Sequence, residues 1–204
     1  MKSWHLQHAR HTLLKRYADF RVGATAAEKR AYRTGPSILL TFDDYGSPAQ
    51  VERLLQILAA AGVCAMFFLQ GDWAGREPQL VAEIAAAGHI IGNHTYSHPD
   101  LLALSDADIE SEIRRGPASA WLRPPQGRYN RRVRNIAHRL GYRICYWTID
   151  SDDWQGVPAE QISRKILAEL HPGAVILFHL HADNTLSVLP QLIRDIRARG
   201  YELS

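Results

Sequence analysis

Cysteine is scarce in this chain, with Cys64 and Cys145 the two present in 204 residues. Each lies in an apolar, strand-like run, so the pair reads as two buried thiols in different strands rather than a disulfide or a metal pair. Long hydrophobic runs are missing. None approaches the roughly 18 apolar residues of a membrane helix, so no transmembrane segment is expected. The N-terminus is basic but has no apolar core of the kind a secretory signal needs. That leaves a cytoplasmic protein, or one separated from its signal. No glycine-rich GxGxxG or P-loop follows the first strand, which counts against nucleotide binding. There is no internal repeat and no low-complexity segment. The net charge of +3 is too small to argue for a nucleic-acid partner.

What is present is an ordinary globular composition, 46% hydrophobic and 22% charged, enough for one domain with an appendage. The charge is uneven. Residues 1–35 carry eight Lys/Arg against two acids, whereas the remainder carries 16 against 19. Residues 1–35 are therefore expected to form a basic, largely helical arm, and 36–204 the domain. His5, His8 and His11 share a helical spacing on the arm and read as surface histidines rather than a metal site. The arm is open to packing on the domain, contacting an anionic surface or lacking order.

After Gly35-Pro36 the pattern is regular. Strands are expected over Ser37–Phe42, Val63–Leu69, His89–Gly92, Ala120–Leu122, Tyr142–Ile149 and Ala174–Phe178. Helices are expected over Pro48–Ala61, Pro78–Ala87, from Ser105 to about Arg115, and over Asn130–Leu140, Pro158–Leu170 and Leu186–Arg199. Ser47 is the expected N-cap of the first helix, Pro48 its first residue and Gly62 its stop. Alternating elements with strands apolar on both faces indicate parallel β-α units. About seven units in so short a domain predict an α/β fold: a distorted, incomplete parallel (β/α) barrel, since the full eightfold barrel typically takes ~250 residues. A doubly wound open sheet is the alternative.

The polar residues that follow strands collect the chemistry. Asp43 and Asp44 end the first strand. Asn93, His94 and His98 follow the third, Arg123 the next, and Asp150, Asp152, Asp153 and Trp154 the fifth. His179 and His181 follow the last. In a parallel sheet all lie at the C-terminal ends of the strands, where such folds place their sites. His94 and His98, spaced i, i+4, would share one ion if they sit in a helical turn. With one of the two aspartates they make two imidazoles and a carboxylate, a set that leaves positions open for water and substrate. The other aspartate is then free to act as a base. Arg123 is placed to pair with it and fix its rotamer. His179 is the candidate general acid, oriented by an acid from Asp150–Asp153.

Five motifs occur in order: Thr41-Phe42-Asp43-Asp44, His94-Thr-Tyr-Ser-His98, Arg123-Pro124-Pro125-Gln126-Gly127, Asp150-Ser-Asp-Asp153-Trp154 and Val175-Ile-Leu177-Phe-His179. In them the chain resembles the polysaccharide deacetylase family, the NodB-homology domain or carbohydrate esterase family 4, from about Ser37 to Leu203. The resemblance implies a base in Asp43 and a metal held by Asp44, His94 and His98. Zinc is the default ion, with cobalt or nickel as substitutes. It further implies Arg123 holding Asp43, the Gln126 backbone N–H in the oxyanion site, His179 as general acid with Asp153 as its partner, and Trp154 and Leu177 walling an acetyl pocket.

The implied reaction removes N-acetyl or O-acetyl groups from a chitin-, peptidoglycan- or xylan-like polymer or oligosaccharide. Two alternatives are an amide hydrolase acting on a lipid-linked sugar or small amide, and a carbohydrate-binding relative without turnover. Most members of the family act outside the cytoplasm. There are departures: Tyr45 stands where the family usually has Gly and is expected to shape the cleft, Gln126 replaces the usual aromatic, and His181 lies just past a usual Asp.

Overall fold

The computed structural model describes residues 37–203. The arm expected over 1–35, with His5, His8 and His11, lies outside the described residues. The sheet is built from β1 (Ser37–Asp44), β2 (Met66–Leu69), β3 (Ile90–Asn93), β4 (Trp121–Leu122), β5 (Arg143–Ile144), β6 (Ile149–Asp150), β7 (Val175–His179) and β8 (Glu202–Leu203). The helices are α1 (Pro48–Ala61), α2 (Gly71–Arg76), α3 (Pro78–Ala86), α4 (Asp106–Arg115), α5 (Arg131–Arg139), α6 (Ala159–Glu169) and α7 (Asp183–Ala198). Neighbouring strands run in the order β5-β4-β3-β2-β1-β7-β6, all pairs are parallel, and β8 pairs with the start of β1.

The run expected as one strand over Tyr142–Ile149 is broken. Its ends form β5 and β6, which lie at opposite edges of the sheet yet are joined only by residues 145–148. Laid flat, those edges would be about 29 Å apart at ~4.8 Å per strand. Five residue steps reach at most roughly 18 Å. The sheet must therefore curl, and this short segment closes the gap. The outcome is the incomplete (β/α) barrel rather than the open sheet.

The period of two along each strand decides what faces the interior. Leu39, Met66, Phe68, Ile90, Trp121, Cys145 and Val175 pack together inside the barrel. Ile38, Leu40, Phe42, Phe67, Ile176 and Phe178 face outward and meet α1, α3, α6 and α7. A third cluster lies beneath α4 and α5, including Ile109, Ile113, Val133 and Ile136. Asp43, Leu177 and His179 share the inward parity at the open end of the barrel.

The first helix has the expected boundaries and caps. Ser47 Oγ accepts from the Gln50 N–H, Gln50 Oε1 accepts from the Ser47 N–H, Pro48 is the first residue, and Gly62 closes the helix at φ 61°. Two elements are additions to the expected set. Helix α2 is too short to show a 3.6-residue pattern, and β8 contributes only two residues. The last helix begins at Asp183, ahead of the expected Leu186. Both cysteines are free thiols; Cys145 is buried and Cys64 half-buried, and neither lies within a strand. No helix among the described residues is long and apolar enough to cross a membrane.

Candidate active site

The site begins with two adjacent aspartates that a regular strand would point in opposite directions. Asp43 follows the inward parity of Leu39 and Thr41. Asp44 would face outward, but its backbone is left-handed, at φ 77°. That turn brings both carboxylates to the same cleft. A left-handed non-glycine residue costs about 1–3 kcal/mol and persists only where its surroundings impose it. Thr95 (φ 65°), His98 (φ 59°), Gln126 (φ 57°) and Asp152 (φ 58°) are the other such residues among those described, and all lie in loops at this end of the barrel.

Asp43 is held by Arg123, which is fully buried. Arg123 Nη1 donates to Asp43 Oδ1 at 2.6 Å and to Thr41 Oγ1 at 2.8 Å, and Nε donates to the Cys145 carbonyl at 3.2 Å. Its guanidinium stacks 4.1 Å from the centre of the Phe68 ring. Gly92, beside Phe68 in the sheet, makes room for that ring: a Cβ there would lie 2.4 Å from Phe68 Cδ1. A buried charge is tolerable only with partners of this kind.

His94 and His98 converge, but not through a helical turn. The segment from His94 to His98, directly after β3, is a loop with left-handed residues at Thr95 and His98. Asn93 Oδ1 accepts from the Thr95 N–H at 2.8 Å, while its amide donates to the Ile113 and Pro117 carbonyls at 2.8 and 3.1 Å. Glu112 accepts from the Tyr96 and Ser97 N–H groups at 3.1 and 2.9 Å. The histidine spacing therefore works by a pinned loop rather than by helical periodicity.

His94 Nδ1 donates to the Arg123 carbonyl at 2.7 Å, which leaves Nε2 facing the carboxylates. His94 Nε2 and His98 Nε2 lie 3.4 and 3.5 Å from Asp44 Oδ1. Ligand atoms of Asp44, His94 and His98 all fall within 4.8 Å of one another. Burial alone would raise the Asp44 pKa, but the hydrogen bond and charges from His94 and His98 hold it well below the usual carboxylate range. Burial likewise works to lower His94, yet Asp43 and Asp44 outweigh it and raise His94. The cluster favours a positive charge at its centre, and its donor set and fixed tautomer fit a divalent cation.

His179 stands next to Asp43, as its register partner on β7. Its Nδ1 donates to Asp153 Oδ1 at 2.7 Å, and its backbone N–H donates to Asp153 Oδ2 at 2.8 Å. Thr185 Oγ1 also donates to Asp153 Oδ2. Burial would lower the His179 pKa; the bond to Asp153 and the nearby carboxylates reverse that and raise it.

Beside these groups lies a cavity of about 380 Å³, lined by Asp43, Asp44, His94, His98, Gln126, Trp147, Asp150, Trp154, Leu177, His179 and His181. Every residue expected in the site lines this cavity except Arg123, Asp153 and Tyr45. Asp153 sits behind His179. Arg123 sits behind Asp43. Tyr45, expected to shape the cleft, stands outside the cavity lining, 48% exposed, with its ring stacked on His181 at 5.4 Å between centroids. The turn at Asp44 carries the chain out of the barrel before Tyr45. Trp154, 56% exposed, lines the cavity at its rim. Thr41, Thr185, Glu112 and Trp147 were not anticipated. The first three are ordinary polar residues whose partners lie far away in sequence.

The description "polysaccharide deacetylase" belongs to the family model that matches residues 30–145. The chain is 34% identical over 191 residues to a peptidoglycan-N-acetylglucosamine deacetylase of Bacillus cereus, covering 85% of this chain and 70% of the relative. It is 33% identical over 190 residues to a chitooligosaccharide deacetylase of Rhizobium leguminosarum bv. trifolii, covering 82% and 88%. Its fold superimposes with a TM-score of 0.80 on a carbohydrate esterase family 4 pseudoenzyme of Bacillus anthracis, at 26% identity, covering 84% of this chain and 64% of the other.

Proposed function

The chain belongs to the polysaccharide deacetylase family, carbohydrate esterase family 4, and we propose that it hydrolyses N-acetyl groups on a glycan built from N-acetylated sugars, of peptidoglycan or chitooligosaccharide type, using a zinc ion. One observation carries the reading. The Asp43–Arg123 pair and the Asp153–His179 pair, on neighbouring strands, present Asp43 and His179 to one cavity that Asp44, His94 and His98 also line. This is a base and an acid beside a place for an electrophile.

Asp44, His94 and His98 would hold a divalent cation, which would supply Lewis acidity toward the acetyl carbonyl and the water. Asp43, fixed by Arg123, accepts the proton of the attacking water. His179 delivers a proton from Nε2 to the leaving amine, while Asp153 holds Nδ1–H and keeps the ring charged until then. Leu177, Trp147 and Trp154 wall the side of the cavity that suits a methyl group. The Gln126 backbone N–H is the proposed donor to the developing oxyanion.

The relative without activity raises the alternative of a carbohydrate-binding protein. The complete set of paired acid, base and ligand residues favours turnover. Acetate release from N-acetylated peptidoglycan fragments and chitooligosaccharides, with and without a chelator, tests the reading. Chelator-sensitive release supports it, and binding without release would overturn it.

A further inference from the structure

His181 Nδ1 is a buried polar atom without a hydrogen-bond partner, the only side-chain atom of that kind among the described residues. It faces Asp44 Oδ2 at 3.9 Å. The other oxygen of that carboxylate is already occupied: Oδ1 accepts from Gln70 Nε2 at 3.0 Å and faces His94 and His98.

The placement of His181 is built rather than incidental. The Leu180 N–H donates to the Asp43 carbonyl at 3.0 Å, extending the β1–β7 pairing past its last residue. Gln50 Nε2, at the start of α1, donates to the His181 carbonyl at 3.2 Å and to Asp183 Oδ1 at 2.7 Å. Tyr45 stacks on the ring from the solvent side. Gly46 permits the close passage, since a Cβ there would lie 3.2 Å from the Leu180 carbonyl oxygen.

We propose that His181 is a positioning residue of the metal centre, donating Nδ1–H to Asp44 Oδ2 so that the carboxylate presents Oδ1 to the ion. The inference rests on the zinc centre proposed above. A closure of about 1 Å turns the present separation into a normal hydrogen bond. A donor on the free oxygen of a ligating carboxylate holds its orientation, and removing such a partner typically weakens metal binding about 10- to 100-fold. Tyr45 then acts through His181, as a lid on its ring.

The test measures zinc affinity by competition with a fluorescent chelator for the wild type, His181→Ala and His181→Asn. The expected result is a loss of about 10-fold or more in His181→Ala. Substantial recovery is expected in His181→Asn, whose amide nitrogen can take the place of Nδ1. Equal affinity of wild type and His181→Ala would overturn the proposal, as would an Asn variant no better than Ala. X-ray absorption on the zinc-loaded protein should count two imidazole ligands; three would make His181 a ligand itself and overturn the positioning role. A wild type that binds no zinc removes the metal centre as well. A wild type that binds zinc beside an unchanged His181→Ala removes this inference alone.

Discussion

Arg123 and Asp43 meet inside the barrel at 2.6 Å, with neither side chain more than 3% exposed. The pair joins β1 to the loop after β4, and Thr41 and the Cys145 carbonyl share the same guanidinium. It is both a structural clamp and the mount of the proposed base. Replacing Arg123 with Ala leaves a buried carboxylate without its cation, and breaking such a pair costs about 3–5 kcal/mol. Urea unfolding of Arg123→Ala should show a loss of that order. A loss below about 1 kcal/mol, the scale of an exposed pair, would argue against the clamp.

Asp43→Asn keeps the shape and an acceptor for Arg123 but removes the base. Deacetylation should fall by about 10²- to 10⁴-fold, the usual contribution of a positioned base. Zinc content should be unchanged, because the proposed ligands remain. Near-normal turnover would reassign the base.

His94→Ala and His98→Ala should each lower bound zinc measured by elemental analysis, with activity falling in parallel. Unchanged metal occupancy in either variant would remove that histidine from the proposed ligand set.

The raised pKa of His179 means that the imidazole stays protonated to higher pH than an ordinary histidine, near 6.5. Burial works the other way; the Asp153 bond is the largest influence holding it up, with Asp43 and Asp44 adding to it. The alkaline limb of the kcat profile should therefore lie above the ordinary histidine range. In Asp153→Asn the largest raising influence is lost and the limb should move to lower pH. An alkaline limb that does not move would show that Asp153 does not set the proton affinity of His179.

Gly92→Ala forces a methyl group against Phe68, the ring on which Arg123 stacks. Overpacking of this kind costs about 1–3 kcal/mol. Thermal denaturation should show a lowered Tm for Gly92→Ala, and an unchanged Tm would mean that the sheet yields freely at this point.

Much of the fold was legible where one local rule sufficed. Ser47, Pro48 and Gly62 marked the first helix because caps and stops are read within a few residues. The run Tyr142–Ile149 misled because apolar character alone does not say where a strand changes sheet edge. Closure of the barrel between Ile144 and Ile149 is a property of the whole sheet. The HxxxH spacing named two histidines that the structure brings together, but through a loop pinned by Asn93 and Glu112 rather than through a helical turn.

The sequence by itself determined the chemical inventory and its end of the barrel. Asp43, Asp44, His94, His98, Arg123, Asp153 and His179 follow strands in a parallel α/β pattern, and parallel strands put all such positions on one face. Only the tertiary structure decided how the pieces differ. The left-handed turn at Asp44 lets neighbouring carboxylates enter one cleft, the buried arm of Arg123 selects Asp43, and Asp153 rather than Asp150 or Asp152 reaches His179. Tyr45 was moved from the cleft to the back of His181. These outcomes depend on backbone torsions and on contacts between residues far apart in the chain, such as Thr41 with Arg123 and Tyr45 with His181, which no local pattern of side chains encodes.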